Sequence, residues 1–238
     1  SVDLAITNVP FVTGLRVNDI TGDKDLSKKF HNIHDFCIAK NVRKLREGGL
    51  GIFITSNGTL DNSKKLRDWI VSEGGSDFVG AFRMHNKTFG GTGVTSDIVV
   101  IRKRVNGQKS VHAIDVSDVS GERMTEYDTG ETRKVKGKET PVIKQLSMDY
   151  NRYFIEHPEN MAGEMHFAFE KGDTFRPTSK SLYPKQDKKQ EDMLSEFVRS
   201  FSAEEFGERN TELVTDAMPG KKIGEVFVKD GKLYINST

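Results

Sequence analysis

With one cysteine in 238 residues, Cys37 has neither a disulfide partner nor a companion at zinc-ligand spacing. That excludes disulfide-framed folds and cysteine-built metal modules. The expectation for Cys37 is a buried, small hydrophobe in a reducing, cytoplasmic setting. No apolar run approaches the length of a membrane span and no signal-peptide pattern is visible, so no membrane partner is expected. An excess of one charge is lacking too, with 36 Lys plus Arg against 35 Asp plus Glu. This excludes a uniformly basic nucleic-acid coat but not a local basic face. There is no P-loop, so no helicase activity is expected of this chain, and there are no internal repeats or low-complexity tracts.

What is present is an alternation of element types. Val2 to Ile6 is short, apolar and β-prone, and it ends at Thr7-Asn8-Val9-Pro10-Phe11, where proline stops regular pairing. A polar, glycine-containing stretch runs from Val12 to Asp25. Leu26 to Arg46 has helical periodicity, with Phe30, Phe36 and Val42 near one face, and Glu47-Gly48-Gly49 reads as its cap. Leu50 to Thr55 is a near-continuous apolar strand, as expected where both faces are covered. Leu60 to Ser72 reads as a second helix, and Phe78 to Met84 and Ser96 to Arg102 as two more strands around a glycine-rich loop. Such alternation predicts an α/β fold, a parallel sheet with helices on both faces, whose ligands gather at the carboxyl ends of the strands.

Residues 105–238 carry weaker signals. Asn106 to Glu139 is polar, with Val111 to Val116 a candidate strand and Lys134 to Lys138 read as a solvated basic loop. Leu146 to Phe154 and Phe167 to Phe169 supply aromatics for a second small core, and Pro177 to Gln186 reads as extended or loop. Asp187 to Phe201 is amphipathic, and Ile223 to Ile235 reads as a hairpin turning at Asp230-Gly231. Two regions are therefore expected, 1–104 and an α+β extension, 105–238.

The chemistry-bearing stretch is Asp3-Leu4-Ala5-Ile6-Thr7-Asn8-Val9-Pro10-Phe11. A strand ends, Asn8 offers a side-chain carbonyl, Val9 a backbone carbonyl, Pro10 fixes its own φ, and Phe11 offers a ring. Two fixed carbonyls suit an exocyclic amine whose lone pair is delocalised into a ring: accepting both N–H hydrogens draws the nitrogen toward a tetrahedral shape. The aromatic ring suits a base taken out of the duplex.

This stretch resembles the Asn-Pro-Pro-(Tyr/Phe) motif of N6-adenine-specific DNA methyltransferases, in its Asn-Ile-Pro-Phe variant from large methylase–helicase proteins of mobile elements. Val9 stands where the family usually has proline. The helix and strand through Leu45-Arg46-Glu47-Gly48-Gly49-Leu50 and Asn86-Lys87-Thr88-Phe89 ahead of a further strand are also similar to that family, as is Asn151-Arg152-Tyr153-Phe154 with His157-Pro158-Glu159. The resemblance implies the C-terminal half of a Rossmann-like, S-adenosyl-L-methionine-dependent sheet of the restriction-modification type. Asn8 and Val9 would receive the amine hydrogens. Phe11 and Phe89 would stack on the flipped adenine, and His31, Asn32 and Phe36 would lie near the cofactor.

The family's glycine-rich donor loop comes before this motif. Here Gly90-Gly91-Thr92-Gly93 precedes a strand, and Glu47-Gly48-Gly49-Leu50-Gly51 reads as a helix cap, so neither fits. A missing N-terminal half is therefore expected to complete the cofactor pocket, with DNA and possibly a helicase domain as further partners. The alternative is a non-catalytic DNA-binding or assembly module derived from such an enzyme.

Overall fold

The computed structural model describes residues 1–11, 17, 22–90, 93–169, 177–185, 188–201, 226–229 and 232–235. The chain divides into two compact units, Ser1–Ser200 and Phe201–Thr238. In the second, strands β9 (Val226–Lys229) and β10 (Lys232–Ile235) pair antiparallel. This is the expected hairpin, although Asp230 and Gly231 lie outside the described residues.

The first unit is built on a four-stranded sheet. Its strands are β1 (Val2–Asn8), β2 (Leu45–Ser56), β3 (Ser76–Met84) and β4 (Ser96–Lys103), in the order β1-β2-β4-β3. β1 and β2 are parallel, whereas β4 runs antiparallel to both its neighbours. The expected parallel sheet is thus corrected to a mixed one. The reason is the connection: residues 85–95 contain no helix among those described, and a parallel pairing needs a crossover of a dozen or more residues.

Two further corrections concern β2. Gly48 and Gly49 do not cap a helix. The helix stops at Lys44, and the strand starts directly at Leu45. Between Val2↔Leu45 and Leu4↔Leu50 the ladder bulges, and Gly48 adopts the left-handed φ of 72° that the bulge requires. A Cβ on Gly49 would stand 2.9 Å from the carbonyl of Arg46, so glycine is needed there for close backbone approach.

The helices are shorter than their periodicity suggested. α1 (Lys24–Lys29) and α2 (Ile33–Lys44) are separate, because Asn32 caps α2 by accepting from the backbone N–H of His34 at 3.0 Å. α3 (Gly58–Asp61) and α4 (Lys64–Val71) likewise break at Asn62-Ser63. Phe53, Val99, Ala81 and Phe78 pack with Val42, Leu60, Leu66, Trp69 and Ile70 into one core. Cys37 is only half-buried against it, and desolvation pushes its thiol up, partly offset by Lys40.

On the opposite face the cover is uneven. Phe82 of β3 meets Phe197 of α6 (Gln190–Arg199) at 5.5 Å between ring centroids. Over β1, Leu4 and Ile6 are 50% and 66% exposed, and they share a face with half-buried Leu50, Ile52 and Ile54.

Past residue 104, Val111 to Val116 forms no strand; Ile114 instead donates to Phe78 O at 2.8 Å. β5 (Val119–Val135) and β6 (Lys138–Asn151) form a long antiparallel ribbon where a polar loop was expected. α5 (Arg152–Glu156) and a single 3₁₀ turn (Pro158–Asn160) follow, then β7 (Gly163–Phe169) paired with β8 (Pro177–Pro184).

This segment is tied to the sheet by a buried ionic cluster. Arg83 of β3 donates from Nε and Nη2 to the two oxygens of Asp97 (2.8 and 2.9 Å), its register partner on β4, and from Nη2 to Asp61 Oδ1 of α3 (2.9 Å). Asp61 Oδ1 also accepts the backbone N–H of Asn151 at 2.9 Å, while Asn151 Nδ2 donates to the carbonyls of Leu60 and Val116. The Phe154 ring lies 4.3 Å from the guanidinium carbon. Burial alone would lower the Arg83 guanidinium, but Asp61 and Asp97 overcome it and raise it further above its ordinary value.

Removing one partner of such a cluster leaves an uncompensated buried charge. Asp97→Ala is expected to cost about 3–5 kcal/mol in urea unfolding; a cost below about 1 kcal/mol would show that the cluster does not hold the unit together. Asp77 gives a pH test. Burial would raise its carboxyl, but hydrogen bonds from Arg104 and the Ser110 N–H outweigh that and hold it below the usual range. A depressed folded value stabilises above the unfolded pKa and is lost as pH falls through the folded one. Asp77→Asn should therefore lower Tm at pH 7 and flatten its decline below about pH 4.

Candidate functional site

Because β4 is the reversed strand, β1, β2 and β3 point the same way. Their last residues, Asn8, Ser56 and Met84, lie along one edge of the sheet with the first residue of β4, as the register Ser56↔Ser96↔Met84 shows. Three connections leave this edge: Val9 onward, Asn57 onward, and the 85–95 loop carrying Phe89. The structure thus brings the Asn8 and Phe89 segments to a common edge. Two strand spacings, about 10 Å, separate β1 from β4.

Asn8 ends β1 with its side chain exposed. Val9 is 2% exposed, sits in the core, and donates its N–H to Ile54 O at 2.9 Å. A proline here could make no such bond. The valine therefore fixes the loop by a ladder hydrogen bond and a buried side chain instead of a ring. Pro10 is exposed and Phe11 half-buried.

Phe89 is half-buried in a loop braced from the extension. Asn86 N–H donates to Leu182 O (2.8 Å), and Leu182 N–H to Thr95 Oγ1 (2.8 Å). Gln190 Oε1 accepts from the His85 N–H (3.1 Å) and from Thr88 Oγ1 (2.9 Å). Both ends of the Phe89 loop are thus held by β8, and the first end also by α6.

The three side chains expected near a cofactor have other positions. Asn32 is the α2 cap, Phe36 is buried in the core at 7% exposure with Lys40 Nζ 5.1 Å from its ring centroid, and His31 is exposed.

A polar network absent from the sequence reading stands behind the edge. Buried His34 contacts Thr55 Oγ1 through Nε2 (2.6 Å) and Asp35 Oδ1 through Nδ1 (3.0 Å), and Thr55 Oγ1 is bonded to Thr59 Oγ1. It links α2, the end of β2 and α3. A buried histidine opposite a strand-terminal threonine 21 residues away leaves no periodic signal in sequence.

A separate cavity of about 430 Å³ lies at the other end of β3, between Asp77, Phe78, α4 and residues 109–117, away from the Asn8 edge. Buried Arg67 lines it.

No family model and no curated protein matches this chain.

Thr55→Val keeps the volume but leaves His34 Nε2 and Thr59 without their shared partner. It is expected to cost about 1–3 kcal/mol in denaturant unfolding. A neutral result would mean that the network contributes nothing to the edge it backs.

Proposed function

We propose that this chain is the target-base half of an S-adenosyl-L-methionine-dependent DNA adenine N6-methyltransferase, with a Rossmann-like sheet completed by another polypeptide segment. One observation carries the reading. The Asn8-Val9-Pro10-Phe11 loop leaves the carboxyl edge of the parallel β1–β2 pair with the Asn8 side chain exposed and its neighbour Val9 anchored, and the Phe89 loop leaves the same edge.

In this reading Asn8 Oδ1 and the Val9 carbonyl accept the two amine hydrogens of an extruded adenine. Resonance with the ring weakens, and the lone pair turns toward the methyl donor. Phe11 and Phe89 hold the base from its two faces, each worth about 1–3 kcal/mol of stacking. The Val9–Ile54 hydrogen bond keeps the acceptor loop from relaxing onto a misplaced base.

S-adenosyl-L-methionine supplies the methyl group in such a reaction. The residues first expected around it do not fit that role: Asn32 is engaged as a cap, Phe36 is buried, and His31 alone presents an exposed ring. Among the described residues no donor pocket is therefore assigned, and the activity of this chain alone is expected to be negligible. The open side of β1 supports the same conclusion. Parallel strands are ordinarily covered on both faces, yet Leu4 and Ile6 are exposed and β1 is an edge strand. The same open strand also favours a second reading, a non-catalytic DNA-binding or assembly module.

The test is formation of N6-methyladenine in duplex DNA, read by mass spectrometry, using the chain together with the polypeptide that completes the sheet at β1. Asn8→Ala should lower methylation by at least about 10²-fold. Methylation that survives this substitution removes Asn8 from the mechanism, and none from the completed wild type favours the second reading.

A further inference from the structure

The β5–β6 ribbon has no counterpart in the chemistry above. Its first strand has 17 residues, roughly 55 Å if fully extended. Every residue from Glu131 to Thr140 is exposed, so neither face of the distal ribbon is buried among the described residues. An isolated two-stranded ribbon is marginal in water. This one is closed by a tight turn in which Lys136 and Gly137 take φ of 50° and 82°, the positive pair that matches strand twist.

The register sorts its charges. Arg133 pairs with Thr140 and Val135 with Lys138, so these four share one face. Lys134 pairs with Glu139 and Thr132 with Pro141 on the other. Across the paired tip, Thr132 to Pro141, one face therefore presents two cations and no acid, while the reverse face is neutral across Lys134 and Glu139; the acid Glu131 lies just below, at the irregularity between Asp128 and Thr132. Arg133 and Lys138 are diagonal neighbours, about 7–8 Å apart, a span that reaches two phosphates along one DNA strand. A two-stranded ribbon is also narrow enough to enter the DNA major groove, about 12 Å wide.

We infer that the tip of the β5–β6 ribbon is a duplex-DNA contact, with Arg133 and Lys138 on its phosphate-facing side. The choice of DNA over another polyanion rests on the methyltransferase reading. The face-resolved placement of charge does not. An arm of this kind holds the duplex without reading sequence, since phosphate contacts fix position and register.

The experiment is fluorescence anisotropy of a labelled duplex with the full chain over a range of NaCl concentrations. Arg133→Ala/Lys138→Ala should weaken binding at least about tenfold and reduce the slope of log K against log salt by about 2. Lys134→Ala/Glu139→Ala, on the neutral face, should leave both unchanged. Recovery of the slope in Arg133→Lys/Lys138→Arg would confirm that charge is what matters. Unchanged binding in the first double variant overturns the inference and leaves the methylation reading standing. Equal loss in both double variants, no duplex binding at all, or equally tight binding of polyglutamate also overturns it. If ribbon-dependent binding persists while the completed enzyme makes no N6-methyladenine, the catalytic reading fails and the arm remains.

Discussion

Arg83 is the constraint on which the rest of the first unit depends. It sits one residue before the end of β3, fully buried, and its charge is acceptable there only because Asp97 and Asp61 converge on it. Those three residues come from β3, β4 and α3, so the pairing fixes the geometry of the carboxyl edge. The same Asp61 oxygen takes the Asn151 N–H, and Ala162 N–H donates to Arg83 O, which docks residues 151–162 on the sheet. The segment so placed then leads into β8 and α6, whose Leu182 and Gln190 brace the Phe89 loop. The extension thereby acquires a role: it holds one of the two loops proposed to close on a base.

Much of the sheet was legible in sequence. The apolar runs at Leu50 to Thr55, Phe78 to Met84 and Ser96 to Arg102 all lie in strands, because burial on both faces concentrates apolar residues. Strand direction was not legible from those runs, which are the same read in either sense; it followed from the short glycine-rich loop between β3 and β4, visible in sequence and too short for a parallel crossover. Helix ends were misplaced where a polar residue acted locally. Phe30 closes α1 and Asn32 caps α2 two residues later, and Gly48 serves a bulge that looks in sequence like a cap. The distal part of the β5–β6 ribbon escaped notice for a plain reason. Residues 131–140 are all exposed, and a strand segment exposed on both faces has no apolar alternation to display.

For the site, the loop from Asn8 to Phe11 could be placed at a strand end by its proline and polar residues. Its rigidity could not, because the Val9 N–H bond to Ile54 O joins residues that are distant in sequence. Asn151 and Phe154 show the converse. They stood out as part of a resemblance with no chemistry to assign, and the structure gives them structural work: Asn151 caps α5 and satisfies two carbonyls, while Phe154 covers the Arg83 guanidinium. The His34–Thr55–Thr59 network was invisible because its members meet only after folding.

The central claim is that an adenine leaves its duplex and lodges between Phe11 and Phe89, above Asn8. Photo-cross-linking tests this most directly. In a pool of duplexes with adenines replaced by 5-iodouracil, irradiation should join the extruded base to the aromatic ring it stacks on, and peptide mapping by mass spectrometry should find the adduct at Phe11 or Phe89. Adducts confined to other residues, with none in the Asn8–Phe11 or 85–95 segments, would contradict the account.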